Sequence, residues 1–156
     1  MKGFLSYAHA DQAEFAALAP HLKALKRAFA LQVWTDHEIL AGTRWEDRIA
    51  QAIAAADVLV LLISPNFIAS DYVWDKELPA IRERRDQGGA LVLPIVLRRC
   101  MWTLAVKQLQ AIPMREGALT PLADWRRRDH ALDAIRAEMA QTIAAHFALP
   151  DPEPAL

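Results

Sequence analysis

The chain has 156 residues, 54% of them hydrophobic and 24% charged, with a formal net charge of −1. That is one domain's worth of soluble globular chain with a single substantial core. The near-neutral balance excludes general affinity for nucleic acid or for an anionic membrane surface.

One cysteine, Cys100, allows no internal disulfide and fits a reducing, cytoplasmic setting. The N-terminus MKGFLSYAHAD lacks a signal-peptide pattern, and the longest apolar run, Val58–Ile63, is too short to span a bilayer. Phe4-Leu5-Ser6-Tyr7 reads as a first short strand, followed by a turn at His9-Ala10-Asp11 in which Asp11 is a candidate helix cap. From Gln12 onward Phe15, Leu18, Leu22, Leu25 and Phe29 recur at spacings of three, four, three and four. This predicts an amphipathic helix, broken or bent near Pro20. Gln32-Val33-Trp34 reads as a second strand, and residues 36 to 43 as a loop containing Gly42. Trp45, Ile49 and Ile53 then mark a helix from about Arg44 to Ala56.

Val58–Ile63 is apolar at every position, the pattern of a strand buried on both faces in the middle of a parallel sheet. Ser64-Pro65 is a helix-start signature, Ser70-Asp71 offers a second start, and Pro79 predicts a kink. Leu91–Leu97 is another apolar strand, and Pro94 within it points to a sheet edge or a bulge. Residues 98 to 120 lose periodicity apart from a short helical piece near Leu104–Leu109, and Leu122–Trp125 reads as a brief last strand. Ala131–Phe147 is an amphipathic helix. Residues 149–156 have the composition of a proline-rich linker, which leaves residues 1–148 as the domain. Alternating strands and helices predict an open parallel sheet with helices on both faces.

In such sheets ligands bind outside the carboxyl ends of the strands, where the strand order reverses. Two segments open on that rim, Ser6–His9 and the stretch SPNFIASDYVWDKELPAIRERR from Ser64 to Arg85. On a regular helix Trp74, Leu78 and Ile81 share one buried stripe, and Glu77 lies roughly 60° round from Trp74, on its shoulder. The residue pattern alone leaves Glu77 open between a rim carboxylate and an ordinary surface glutamate. Trp34, Trp45 and Trp74 are open between core packing and stacking on a planar ligand. The five histidines have no metal-ligand spacing, and neither a dinucleotide fingerprint nor a P-loop is present. A receiver-type site would need aspartates where strand one ends in Ser6-Tyr7. Arg126-Arg127-Arg128, flanked by Asp124 and Asp129, reads as a solvated helix start.

Taken together, Phe4-Leu5-Ser6-Tyr7, Trp34-x-Asp36 with Gly42, Ser64-Pro65-Asn66-Phe67 and Ser70-Asp71-Tyr72-x-Trp74-x-x-Glu77-Leu78 resemble the successive boxes of bacterial Toll/interleukin-1 receptor (TIR) domains. Pro113, Gly117, Trp125, Asp129 and Ala131 are similar to the family's last segment. The resemblance runs from Lys2 to about Phe147 and implies a flavodoxin-like sheet of five parallel strands. It implies an NAD+ nucleosidase that splits the nicotinamide–ribose bond to give nicotinamide with ADP-ribose or a cyclic isomer. Glu77 takes the position of the catalytic glutamate, with NAD+ as substrate and neither a metal nor a further cofactor. Substrate-binding positions carried over are Ser6, Tyr7, Ala8, His9, Leu40, Gly42, Trp45 and Trp74; some members carry arginine where this chain has Ala8 and His9. Activity through self-association, a C-terminal sensor domain and a role in antiphage defence follow from the same resemblance. The alternative it leaves is a non-enzymatic TIR–TIR interaction module.

Overall fold

A computed structural model of the protein describes residues 1–35, 44–107 and 109–153. Four strands, β1 (Lys2–Ser6), β2 (Gln32–Thr35), β3 (Val58–Ile63) and β4 (Leu91–Val96), pair in parallel in the order β2-β1-β3-β4. The order reverses between β1 and β3, so the crevice rule places a ligand at the carboxyl ends of those two strands. The connecting helices are α1 (Gln12–Phe29), α2 (Trp45–Ala55), α3 (Pro65–Ala69) and α4 (Leu78–Asp86), and α5 (Arg128–His146) closes the fold.

Period-two alternation divides the sheet into two packed faces. Leu5, Val60, Leu62, Leu93 and Ile95 meet Leu18, Leu22 and Leu25 of α1 with Leu132, Ile135, Met139 and Ile143 of α5. Phe4, Leu59, Leu61, Ile63 and Val92 meet Ile49 and Ile53 of α2, Phe67 of α3, and Leu78 and Ile81 of α4. All six residues of β3 are buried, as the unbroken apolar run predicts. Each such side chain contributes roughly 1.5–3 kcal/mol of transfer free energy.

Several elements differ from the sequence reading. α1 runs through Pro20 without a break, the proline standing on its exposed side. It ends at Ala30, whose φ of 50° and ψ of 42° are left-handed, a conformation that favours glycine. Leu122–Trp125 is a single 3-10 turn, Leu122–Asp124, instead of a strand. The helical piece expected near Leu104–Leu109 is a turn at Trp102–Leu104. In place of a fifth strand, the described residues have one parallel bridge, Ile95 to Ile112, followed by a small antiparallel pair, β5 (Met114–Arg115) and β6 (Ala118–Leu119).

β4 is thus the margin of the four-stranded sheet, which accounts for Pro94. Its carbonyl faces outward, where it accepts from the Ile112 N–H at 2.8 Å. In a parallel strand the imide nitrogen faces the same way, so no ladder bond toward β3 is lost.

Candidate active site at the sheet rim

β1 ends in Ser6, and β3 delivers the chain to Ser64. Ser64 starts α3 as the sequence predicts, its Oγ accepting the Phe67 N–H at 3.0 Å with Pro65 behind it. The chain then enters a π-helical turn, Val73–Glu77, in which the Leu78 N–H reaches back to the Val73 carbonyl. Pro79 follows directly, in the first turn of α4, where a missing backbone donor is tolerated.

The buried face here is centred on Glu77 and not on Trp74. Val73, Glu77 and Ile81 are buried at successive spacings of four, while Trp74 is only half-buried. Glu77 therefore lies on the inward stripe and not on its shoulder. With 1% of its surface exposed, it is no surface glutamate. Ser6, fully buried at the end of β1, donates its hydroxyl to Glu77 Oε2. A carboxylate after β3 is thereby bonded across the strand-order switch to the end of β1.

A second carboxylate, Asp11, is fully buried in the segment that follows β1. Asp11 occupies the cap position of α1, but its side chain makes no cap bond. Instead it accepts from Ser64 Oγ, from Asn66 Nδ2 at 2.9 Å and from Arg98 Nη2 at 2.5 Å. Arg98, just past β4, also reaches Glu14 Oε1 at 2.5 Å. Burial alone would raise the Asp11 pKa. The Arg98 guanidinium, with the Ser64 and Asn66 donors, outweighs that and holds the carboxyl below the usual range. Each strand-end serine thus serves the carboxylate that follows the other strand, Ser6 to Glu77 and Ser64 to Asp11.

Residues 4–136 match the family model described as TIR domain. The chain belongs to the TIR-domain family. Over 129 residues it is 40% identical to the uncharacterized protein y4lF of Sinorhizobium fredii (strain NBRC 101917 / NGR234), a match covering 82% of this chain and 39% of that relative. This TIR domain therefore spans about two-fifths of the length of the curated relative it matches.

The carried-over positions divide into several groups. Ser6 and Glu77 are brought into direct contact. Ala8, half-buried, and His9, exposed, follow Ser6 along the rim, where a 3-10 turn spans His9–Asp11. Tyr7 is buried, with its side chain in the core. Its ring stacks on Phe15 with centroids 4.5 Å apart, and its hydroxyl donates to Gln12 Oε1 at 2.6 Å. Trp74 donates its indole N–H to the Ile68 carbonyl at 2.5 Å and has the Arg82 guanidinium 5.8 Å from its ring. In this conformation it pins the turn bearing Glu77. Trp45 is 41% exposed and stacks on Tyr72, ring centroids 4.6 Å apart. Leu40 and Gly42 lie outside the described residues.

The sequence reading missed Glu14, Asn66 and Arg98, and it took Asp11 for a cap. The signal available was a pair of serines, each ending a strand at the switch. A cavity of about 540 Å³ opens past β4 between Cys100, Trp102 and Thr120, and none of the carried-over residues lines it. Burial pushes the Cys100 thiol up, against the opposing pull of Arg98, so it is a poor nucleophile. Among the described residues no group of three or more histidine, cysteine or carboxylate side chains is arranged to hold a metal. No helix among them is long and apolar enough to cross a membrane.

Proposed function

We propose that this TIR domain cleaves NAD+ at the nicotinamide–ribose bond, with Glu77 as the catalytic carboxylate. The observation that carries this reading is the Ser6–Glu77 bond, which sets a carboxylate at the ligand end of the sheet, across the switch between β1 and β3.

The chemistry asks little of the protein beyond charge and orientation. When the bond from ribose C1′ to the nicotinamide nitrogen breaks, its electron pair leaves with nicotinamide as a neutral base. The sugar is left with oxocarbenium character. A carboxylate beside it stabilises that charge and accepts hydrogen bonds from the ribose hydroxyls. Water adding at C1′ gives ADP-ribose and releases a proton; a nitrogen of the adenine adding there gives a cyclic product. Ser6 holds the carboxylate in one rotamer. Because Glu77 is 1% exposed, turnover requires the rim to open. That supports a domain switched on by self-association, as an NAD+-depleting antiphage effector in the cytoplasm would be. Such an effector would carry a sensor elsewhere in its chain, C-terminal to residues 149–156.

The test is nicotinamide release from NAD+ by concentrated or artificially clustered protein. Glu77→Ala, with fold retained, is expected to lose at least about a hundredfold in rate. Wild-type turnover in that variant overturns the assignment of Glu77. A clustered wild-type protein that releases no nicotinamide is instead an interaction module.

A further inference from the structure

We infer that Asp11 and Arg98 form a positioning device that holds the two halves of the candidate site in register. The inference rests on the NAD+-cleaving reading and adds residues to the same site. Those halves are separate in sequence, the Ser6–His9 segment and the Ser64–Glu77 segment. Asp11 is fastened to the first through the backbone, its N–H donating to the Ala8 carbonyl at 2.8 Å. Its carboxylate grips the second through Ser64 Oγ and Asn66 Nδ2. Asp11 is therefore a cross-link between them, fully buried.

From Ser64 the constraint passes on to Glu77 through named bonds. Ser64 Oγ accepts from Phe67 N–H and so fixes the first turn of α3. The carbonyl of Ile68, in that turn, accepts the Trp74 indole N–H, and Trp74 belongs to the π-turn that carries Glu77. The opposite end is anchored just past β4. Arg98 sends one guanidinium nitrogen to Asp11 and the other to Glu14 of α1, two arms that only a forked, planar cation supplies together. Both arms of Arg98 are occupied by carboxylates, so its charge is partnered within the rim. Neither Asp11 nor Arg98 contacts Glu77 in this chain of bonds. They act on it through Ser64, α3 and Trp74.

The experiment compares Arg98→Ala, Arg98→Lys and Asp11→Asn by steady-state nicotinamide release and by amide hydrogen exchange. Displacing a reacting group by an ångström lowers rate by about a hundredfold. Arg98→Ala is accordingly expected to lower kcat by roughly tenfold to a hundredfold, with KM within about a factor of two. Arg98→Lys, which keeps the charge and one arm, and Asp11→Asn, which keeps an acceptor for Ser64, are each expected to lose less than Arg98→Ala. A rise in KM at constant kcat, or an unchanged kcat, overturns the inference. Exchange at the Phe67 and Trp74 amides is expected to quicken at least about tenfold in Arg98→Ala while α5 amides are unaffected. Equal quickening in α5, or none at residues 67–77, also overturns it. If the wild-type protein releases no nicotinamide, the enzymatic reading fails, and the exchange measurement still decides the positioning role.

Discussion

Replacing Ser6 with alanine removes one hydroxyl from a site where both partners are buried, and this makes its consequence calculable. Glu77 Oε2 accepts from that hydroxyl with Ser6 fully buried and Glu77 1% exposed, so solvent does not readily take the donor's place. A hydrogen bond to a charged group contributes about 1.5–3 kcal/mol. For a domain of this length each kcal/mol moves the melting midpoint by about 2–4 °C, so Ser6→Ala is expected to lower Tm by about 3–12 °C. Differential scanning calorimetry with urea titration reads the loss directly. The partner is identified by a double-mutant cycle: in a Glu77→Gln background the same substitution should cost only about 0.5–1.5 kcal/mol, the value for a neutral pair. An equal cost in both backgrounds would refute the claim that the hydroxyl is bound to the carboxylate's charge.

Two further outcomes concern stability. The folded Asp11 carboxyl is held below its unfolded value of about 3.9, so its contribution is fully present above that pH and is lost as pH falls through the folded pKa. The urea midpoint of the wild type should drop below about pH 4 more steeply than that of Asp11→Asn, and identical acid limbs would sink the argument. Ala30→Gly, which relieves the left-handed residue ending α1, should raise stability by about 1 kcal/mol in the same titration, and a decrease would contradict the described helix end.

The parts of the fold that sequence conveys well are those fixed by side-chain periodicity. β3 was legible to the residue because a strand buried on both faces has no polar position to blur its ends. Ser64-Pro65 was legible because capping is local chemistry, and the aromatic setting of Glu77 marked the right stretch. Its burial was not legible. Counting from Trp74 as a buried residue placed it on a shoulder, whereas the buried face starts from Val73 and leaves Trp74 half-buried. Asp11 was misread for a different reason. Its partners Ser64, Asn66 and Arg98 lie 53, 55 and 87 residues away, and a nearby helix start offered a cheaper local use for the same carboxylate. Leu122–Trp125 was read as a strand, yet among the described residues the outer edge of β4 carries a single bridge, to Ile112, and this segment forms a 3-10 turn.

The exchanged serines carry an implication for how such a chain can change. Because each hydroxyl serves a carboxylate belonging to the other half, neither βα unit is self-sufficient in its buried polar groups. Exchanging either unit for one that lacks its serine would remove a donor from a buried acid in the other half. The carboxyl ends of the first and third strands are thus coupled by two reciprocal bonds, although more than fifty residues of chain lie between them.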